Sequence, residues 1–510
     1  MSDARKLLHN TLLLTAASFL MRTVSVSFNV YLTNRIGADG IGLFQLIFAV
    51  YSPAVTFACS GIRLAAMRLT ADAAALGKRN ERQIMRRCLL YALTCSAAAS
   101  AVLFFGADLI GTKWIRDVRS VSSLKILCAS LPFVSMSAAL NGYFTAVGKL
   151  VRYTAVQLLE QIFKIAVTVF ALGKASAGGG LEEACKSVTF GISAAEVFSL
   201  ACSYTVYRLS SEKPKQSENK ITKKLLKISV PDAVGSEMRS ILMTVEHLLI
   251  PSGLRKSGCE PQSALASYGV IHGMSLPLVL YPSALLSSLS GLLIPELSAH
   301  NISGSRTRIG YIISRVLHLT LIFSIGTAGT MYFGAEKLSL AVYGNSDAAF
   351  YIQLLSPLIP VMYADMSVDG ILKGLDQQVS CMRYNMIDAS LCVALVYFLV
   401  PVFAVKGYII VVFVSECVNF FLSFRRLTIV SEVKIELFKD LIIPLLCAVS
   451  AGLFKQIFFG VIPAAQNTKA AAAADIIFSV TCYCVLLLVF RAIDNEEVLW
   501  IKRTIKPSKT

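Results

Sequence analysis

Arg22 lies near the middle of an apolar stretch running from about Asn10 to Thr33, and Arg239 lies likewise between about Leu226 and Pro251. An arginine at bilayer depth costs about 2.5–3.5 kcal/mol on insertion scales, so a chain that keeps two is expected to use them. The planar guanidinium offers paired N–H donors to phosphate or carboxylate, whereas a lysine offers a point charge. Both arginines sit on polar stripes. Thr11, Thr15, Ser18, Arg22, Ser25 and Asn29 recur at spacings of 4-3-4-3-4, which places them on one face of a helix. Ser229, Asp232, Ser236, Arg239 and Glu246 repeat the pattern. A polar face inside a membrane must look at protein or water. The expectation is a hydrated central cavity with a cation contributed by each half, which suits a transporter of a negatively charged substrate.

Other charged groups fall within apolar stretches. Gln157, Gln161, Lys164 and Thr168 form a third polar face, with Glu160 one turn before Lys164 and so placed to pair with it. Asp365 and Asp369 are one turn apart, Asp388 and Glu416 sit in the two following spans near Asn385 and Asn419, and Glu196 lies in the sixth. The acidic residues of the second half are either ion-coupling ligands or structural pairs, and their spacing leaves both open. Lys164 joins Arg22 and Arg239 as an expected substrate-binding cation, with Ser18, Ser25 and Asn29 beside them.

The chemistry that is missing matters equally. No G-x-x-x-x-G-K-[ST] loop, H-E-x-x-H pair or G-x-S-x-G element occurs, and the five histidines are dispersed. No catalytic residue, metal site or cofactor is expected, and the chain reads as a non-enzyme.

Such side chains need elements that cross a bilayer. Of 510 residues, 55% are hydrophobic and only 15% charged, with a mean hydropathy of +0.66. That composition specifies an all-α integral membrane protein. A crossing helix needs about 20 apolar residues. Fourteen stretches qualify, at roughly 10–33, 43–67, 84–107, 123–146, 153–173, 184–207, 226–251, 265–294, 309–333, 352–372, 384–403, 407–424, 440–460 and 472–490. The thirteenth reads as an ordinary apolar run. With both termini inside, most of the 48 Lys and Arg fall in cytoplasmic loops, as the positive-inside rule requires. The net charge of +17 is then a topology signal that also suits anionic membrane lipids, and nucleic-acid binding is not expected. The first stretch contains Arg22, is too long for a signal-peptide core and lacks a small-residue cleavage pattern, so it reads as the first span. The thirteen cysteines are scattered, and only Cys185 and Cys259 fall in expected outer loops, where a disulfide between them is left open.

The basic segment from Arg208 to Lys227 divides the chain. Residues 1–208 form an expected N-lobe of six helices, 209–224 a cytoplasmic linker, 225–430 a C-lobe of six helices, and 431–510 two further helices with a cytoplasmic tail. Both lobes begin inside, so they are expected to be parallel, pseudo-symmetric repeats.

Three stretches carry a resemblance. They are Arg35–Gly61, RIGADGIGLFQLIFAVYSPAVTFACSG; Leu276–Ser298, LPLVLYPSALLSSLSGLLIPELS; and Tyr363–Pro401, which contains VDGILKGLDQQVSCMRYNMIDAS and is followed by Gly407–Tyr408 and the run Ser415–Asn419. They resemble the stage V sporulation protein B family within the multidrug/oligosaccharidyl-lipid/polysaccharide exporter superfamily. Ile62–Arg63–Leu64 departs from the apolar-Pro pair and nearby lysine usual in those proteins. The resemblance implies an inner-membrane flippase that alternates between inward- and outward-open states. Its implied cargo is an undecaprenyl-diphosphate-linked glycan, such as a peptidoglycan precursor for the cortex of an endospore-former, and cell-wall or cortex synthesis enzymes are implied partners. Similar lipid II flippases carry cavity arginines on the first span, the role Arg22 matches; Arg239 is an extension from its own stripe. Multidrug exporters of the superfamily are the alternative, but they use an acidic residue on the first span, and none lies between Asn10 and Asn34. A glycosyltransferase using polyprenyl-phosphate donors would need outer-loop carboxylates of a kind that is sparse here, and a non-transporting scaffold would leave the polar stripes without a purpose.

Overall fold

The computed structural model describes residues 2–59, 61–75, 81–175, 180–210, 221–286, 297, 306–431, 436, 438–461, 469–490 and 492. Among them the regular structure is helical throughout, with no strand. This is what runs of apolar residues must form in hydrocarbon, where a helix alone satisfies every backbone group within one segment. The basic linker at 211–220, most of 287–305 and the C-terminal tail lie outside the described residues, so part of the Leu276–Ser298 stretch does too.

The helices are α1 (Ser2–Cys59), α2 (Ile62–Ala75), α3 (Glu81–Leu109), α4 (Arg119–Cys128), α5 (Leu131–Ala146), α6 (Leu150–Ala175), α7 (Leu181–Ser210), α8 (Ile221–Lys256), α9 (Pro261–Gly269), α10 (Leu276–Leu280), α11 (Arg306–Tyr343), α12 (Ala349–Leu355), α13 (Ile359–Gly374), α14 (Gln378–Val430), α15 (Ile443–Val461) and α16 (Lys469–Val489). Nine helical stretches among the described residues are long and apolar enough to cross a membrane, or ten if α4 and α5, bent by 45°, make one span. Two of the nine, Phe19–Ala73 and Gln378–Val430, each hold two expected spans. The first is interrupted inside α1 at Gly37, whose φ of 75° excludes most side chains. The seventh expected span lies within α8, where Asp232, Glu237, Arg239 and Glu246 dilute the apolar run. The tenth is broken into α12, a short 3-10 turn and α13 at Pro357 and Pro360.

The chain forms two compact units. Unit 1 is Met1–Gly269 with Ala389–Tyr408, and unit 2 is Val270–Asp388 with Ile409–Thr510. In unit 1, α5 packs on α2 and α3, α6 on α7, and α1 on both α8 and α9. Its core includes Ile62, Met85, Leu140, Tyr143 and Phe144. Val102 and Phe105 on α3 are exposed, as a lipid-facing surface requires.

In unit 2, α11 packs on α13, α15 and α16. Ile313, Leu317, Val368 and Leu372 fill one core cluster, and Cys447 and Tyr483 anchor another. Here the thirteenth span departs from expectation. Lys455 on α15 is 3% exposed, and its ammonium donates to Asp475 Oδ2 at 2.6 Å and to the Phe333 carbonyl at 2.9 Å. Lys337 on α11 donates to the other Asp475 oxygen at 2.8 Å. The run is therefore not simply apolar; it carries one member of a buried ion triad joining three helices. All thirteen cysteines, Cys185 and Cys259 included, are free thiols.

Candidate functional site

The polar face of α1 is described from Arg22 onward; the side chains of Thr11, Thr15 and Ser18 lie outside the described residues. Arg22 and Asn29 are half-buried and Ser25 is exposed. Gln161 on α6 donates from Nε2 to Ser25 Oγ at 3.4 Å. That bond brings the first and fifth polar stripes together. Arg22 stands one turn from Ser25, and Lys164 one turn from Gln161, so the two cations belong to the facing stripes.

The surroundings of Lys164 differ from the expected helix pair. Ser199 of α7, itself buried, donates to Glu160 Oε2 at 2.6 Å. Among the described residues Glu160 and Lys164 close no ion pair, although each lies in the other's field. Lys164 lies in the field of both Glu160 and Glu196. Two carboxylates thus share the field of one ammonium, so acidic groups outnumber basic ones around Lys164. Thr168, one turn further on, is fully buried with a hydroxyl that meets no partner among the described residues. The sequence signal for this arrangement was present in Glu196, but nothing in the spacing pointed to Ser199.

α8 docks on the second half of α1 through hydroxyl groups. Ser240 Oγ lies 3.2 Å from Ser52 Oγ and accepts from Thr56 at 3.3 Å, and Thr244 donates to the Ala49 carbonyl at 2.7 Å. Arg239 precedes Ser240 by one residue, so it projects about 100° round the helix from the docked face. It is exposed, with no hydrogen-bond or ion-pair partner among the described residues. The stripe of α8 is split: Arg239 and Ser236 face outward, whereas Ser229 is buried where a Cβ on Gly61 would lie 2.6 Å from its carbonyl.

Unit 2 holds the second-half carboxylates. Asp365 on α13 is 9% exposed and its Oδ2 accepts from Asn419 Nδ2 of α14 at 3.0 Å. Asp369 takes Lys373 at 3.4 Å, and Asp388 accepts a hydrogen bond from Ser415. Glu416, the next residue, is half-buried. Asp365 lies in the field of both Asp369 and Asp388. Asp365 Oδ1, Asp369 Oδ1, Asn419 Oδ1 and Ser423 Oγ are buried and make no well-formed hydrogen bond among the described residues, although the Ser423 hydroxyl stands beside Asp365 and the Cys381 thiol beside Asp369. A buried carboxylate oxygen without a well-formed hydrogen bond costs more than the bond it lacks. Ser415 and Ser423 were not expected; the i, i+4 spacing of Ser415, Asn419 and Ser423 was the available signal.

Comparison with known proteins gives a consistent picture. Residues 7–300, more than half of the chain, match the polysaccharide biosynthesis protein family. Stage V sporulation protein B of Bacillus subtilis (strain 168) is 23% identical over 512 residues, covering 96% of both chains. Among solved structures, the lipid II flippase MurJ in an inward closed conformation superposes with a TM-score of 0.73 at 12% identity, covering 94% of this chain and 98% of that one. An inward-facing multidrug resistance MATE transporter gives a TM-score of 0.62 at 11% identity, covering 81% and 96%. At these identities the structural matches establish a shared transporter fold.

Proposed function

The chain belongs to the polysaccharide biosynthesis protein family, and from that membership we propose that it is a flippase moving an undecaprenyl-diphosphate-linked glycan across the cytoplasmic membrane by alternating access. Its work is transport rather than catalysis. The observation that carries this reading is the bond between Ser25 and Gln161, which sets the Arg22 face of α1 against the Lys164 face of α6. A diphosphate offers several acceptor oxygens to the Arg22 fork, and the exposed Arg239 supplies a second guanidinium in the same unit. Lys164, in the field of Glu160 and Glu196, lies on the facing stripe. The similarity to a sporulation protein of an endospore-former favours a cortex peptidoglycan precursor as cargo and a cytoplasmic membrane with both termini inside. The six-plus-six-plus-two lobe plan is part of the same proposal.

Glu160 and Glu196 are the observation that favours a second reading, export of a cationic small molecule. Lipid II translocation in proteoliposomes under an inside-negative potential separates the two. Wild type is expected to translocate, and Arg22→Ala, with folding intact, to lose at least tenfold in rate, as removal of a charge-assisted anion contact implies. Unchanged transport in the variant would sink the site while keeping the function. Failure to move any polyprenyl-diphosphate glycan would leave drug export as the better reading.

A further inference from the structure

The turn after α3 and the C-terminal end of α8 meet at one rim of unit 1, where Arg255 Nη2 donates to the Ile115 carbonyl at 3.2 Å. The π-helical turn Ile110–Ile115 ends on Arg116, whose φ of 58° and ψ of 38° are left-handed. A non-glycine residue is uncommon there, and π-turns and such backbone outliers concentrate where a site must be held in shape. The next residue, Asp117, is not available to Arg116. Both of its oxygens are taken by Arg119, with Nε at 2.9 and 3.1 Å and Nη2 at 2.6 Å.

Arg255, bonded to the carbonyl of the residue before Arg116, therefore lies in the field of the Arg116 guanidinium, and neither has an ion pair among the described residues. Arg255 Nε is buried and has no hydrogen-bond partner among the described residues. Burial, and after it the charge of Arg116, holds the Arg255 pKa below the ordinary arginine value, while Asp117 offsets part of this. Arg116 itself is exposed. Asp39 and Glu182 also interact with Arg119, but Glu182 is already paired with Lys186 at 2.7 Å. Of the carboxylates near the three guanidiniums, Asp117 is bonded on both oxygens and Glu182 has its own lysine. The flank is amphipathic: Trp114 is 55% exposed on the same turn, and Lys256 Nζ sits 5.8 Å from the Tyr397 ring centre. An exposed tryptophan, and a lysine over a tyrosine ring, are the side chains found at headgroup depth.

We propose that Arg116 and Arg255 form a binding site for a phosphate group carried at the membrane surface, with the Arg255 Nε edge and the Arg116 guanidinium as its donors. The phosphate is either the cargo's diphosphate or the headgroup of an anionic phospholipid; the first source rests on the flippase reading, the second does not. An anion between the two guanidiniums would relieve their repulsion and give the buried Nε its acceptor.

The chain has two tryptophans, Trp114 and Trp500, so Trp500→Phe leaves a single reporter beside the site. Full-length protein carrying that change, in nanodiscs of phosphatidylcholine, is titrated separately with undecaprenyl diphosphate, phosphatidylglycerol and inorganic diphosphate while Trp114 emission is followed. A saturable change with undecaprenyl diphosphate is expected, its midpoint shifted about tenfold in Arg255→Gln and in Arg116→Gln. Arg255→Lys, which keeps a charge but removes the Nε donor, should fall between. If Arg255→Gln does not fold, the exposed Arg116 carries the test. A preference for undecaprenyl diphosphate assigns the site to cargo, and equal response to phosphatidylglycerol assigns it to bulk lipid. Response to inorganic diphosphate alone, no saturable response, or a midpoint unmoved in both glutamine variants would overturn it. The readout is binding, so loss of transport from an unrelated cause leaves it intact.

Discussion

Asp475 lies 1% exposed between two lysines, and the two are not equivalent. Lys455 is buried with it, whereas the Lys337 side chain is 34% exposed. Removing one partner of a buried ion pair leaves an uncompensated charge and costs about 3–5 kcal/mol, while a solvated pair contributes about 0–1 kcal/mol. Asp475→Leu is therefore expected to lower the thermal unfolding midpoint in detergent far more than Lys337→Leu. The double variant Lys455→Met/Asp475→Leu should regain much of the loss, since it removes both buried charges together. Similar midpoints for the two single variants would show that the triad is not held by its buried half. Both residues are visible in the sequence, yet the pairing was not, because twenty residues of chain separate them and no local spacing rule reaches that far. The same limit explains Glu160. Its i, i+4 relation to Lys164 is a local rule, and its hydrogen-bond partner is Ser199 on a neighbouring helix. The polar stripes of α1 and α6 were legible since helical periodicity is local, but which stripe meets which was settled by tertiary packing.

At the scale of elements, the second half of α1 runs against α9 with backbones almost touching. A Cβ on Gly42 would lie 2.3 Å from the Leu265 carbonyl, and one on Gly269 would lie 2.1 Å from the Ala38 carbonyl. Backbone atoms on both sides leave nothing flexible to yield, so a methyl group must push the helices apart. Gly42→Ala is expected to lose folded protein, read as a lower monodisperse yield and a lower unfolding midpoint in size-exclusion assays. Gly173→Ala is the contrast: it sits in α6 with nothing near its Cβ position, and alanine there should be neutral or stabilise by about 0.5–1 kcal/mol. If Gly42→Ala behaves like Gly173→Ala, the close approach is not a constraint. Helix breaks were unevenly legible. The tenth span was expected whole, and Pro357 and Pro360 were the available signal for its interruption, as Gly37 was for the turn in α1. The break in α14 at Ala404, with φ of 51°, falls between the eleventh and twelfth expected spans, although alanine itself ordinarily continues a helix.

For the whole molecule, the charges that could act on an anion and those that could hold a cation fall in different units. Arg22, Lys164 and Arg239 are in unit 1; Asp365, Asp369, Asp388 and Glu416 are in unit 2. A diphosphate carrying two negative charges gains about 2.3 kcal/mol per charge per 100 mV on leaving an inside-negative compartment, roughly 4–5 kcal/mol together. That is enough to drive translocation without ATP, in keeping with a chain that has no phosphate-binding loop. A second proposed means of drive is uptake of a proton or sodium ion at the carboxylates around Asp365. The two are separable by experiment. With the potential clamped at zero, an imposed sodium or proton gradient is expected to accelerate wild-type translocation, and Asp365→Asn to remove that acceleration by deleting the charge that a cation would neutralise. Under an inside-negative potential without an ion gradient, the same variant should keep a rate within about twofold of wild type, since Arg22 and its partners are untouched. If Asp365→Asn responds to the ion gradient as wild type does, the cluster is a structural network. Its signature would then be a fall in the unfolding midpoint, with Asn419 and Ser423 left around an altered partner, and the membrane potential would be the drive that acts through unit 1 alone.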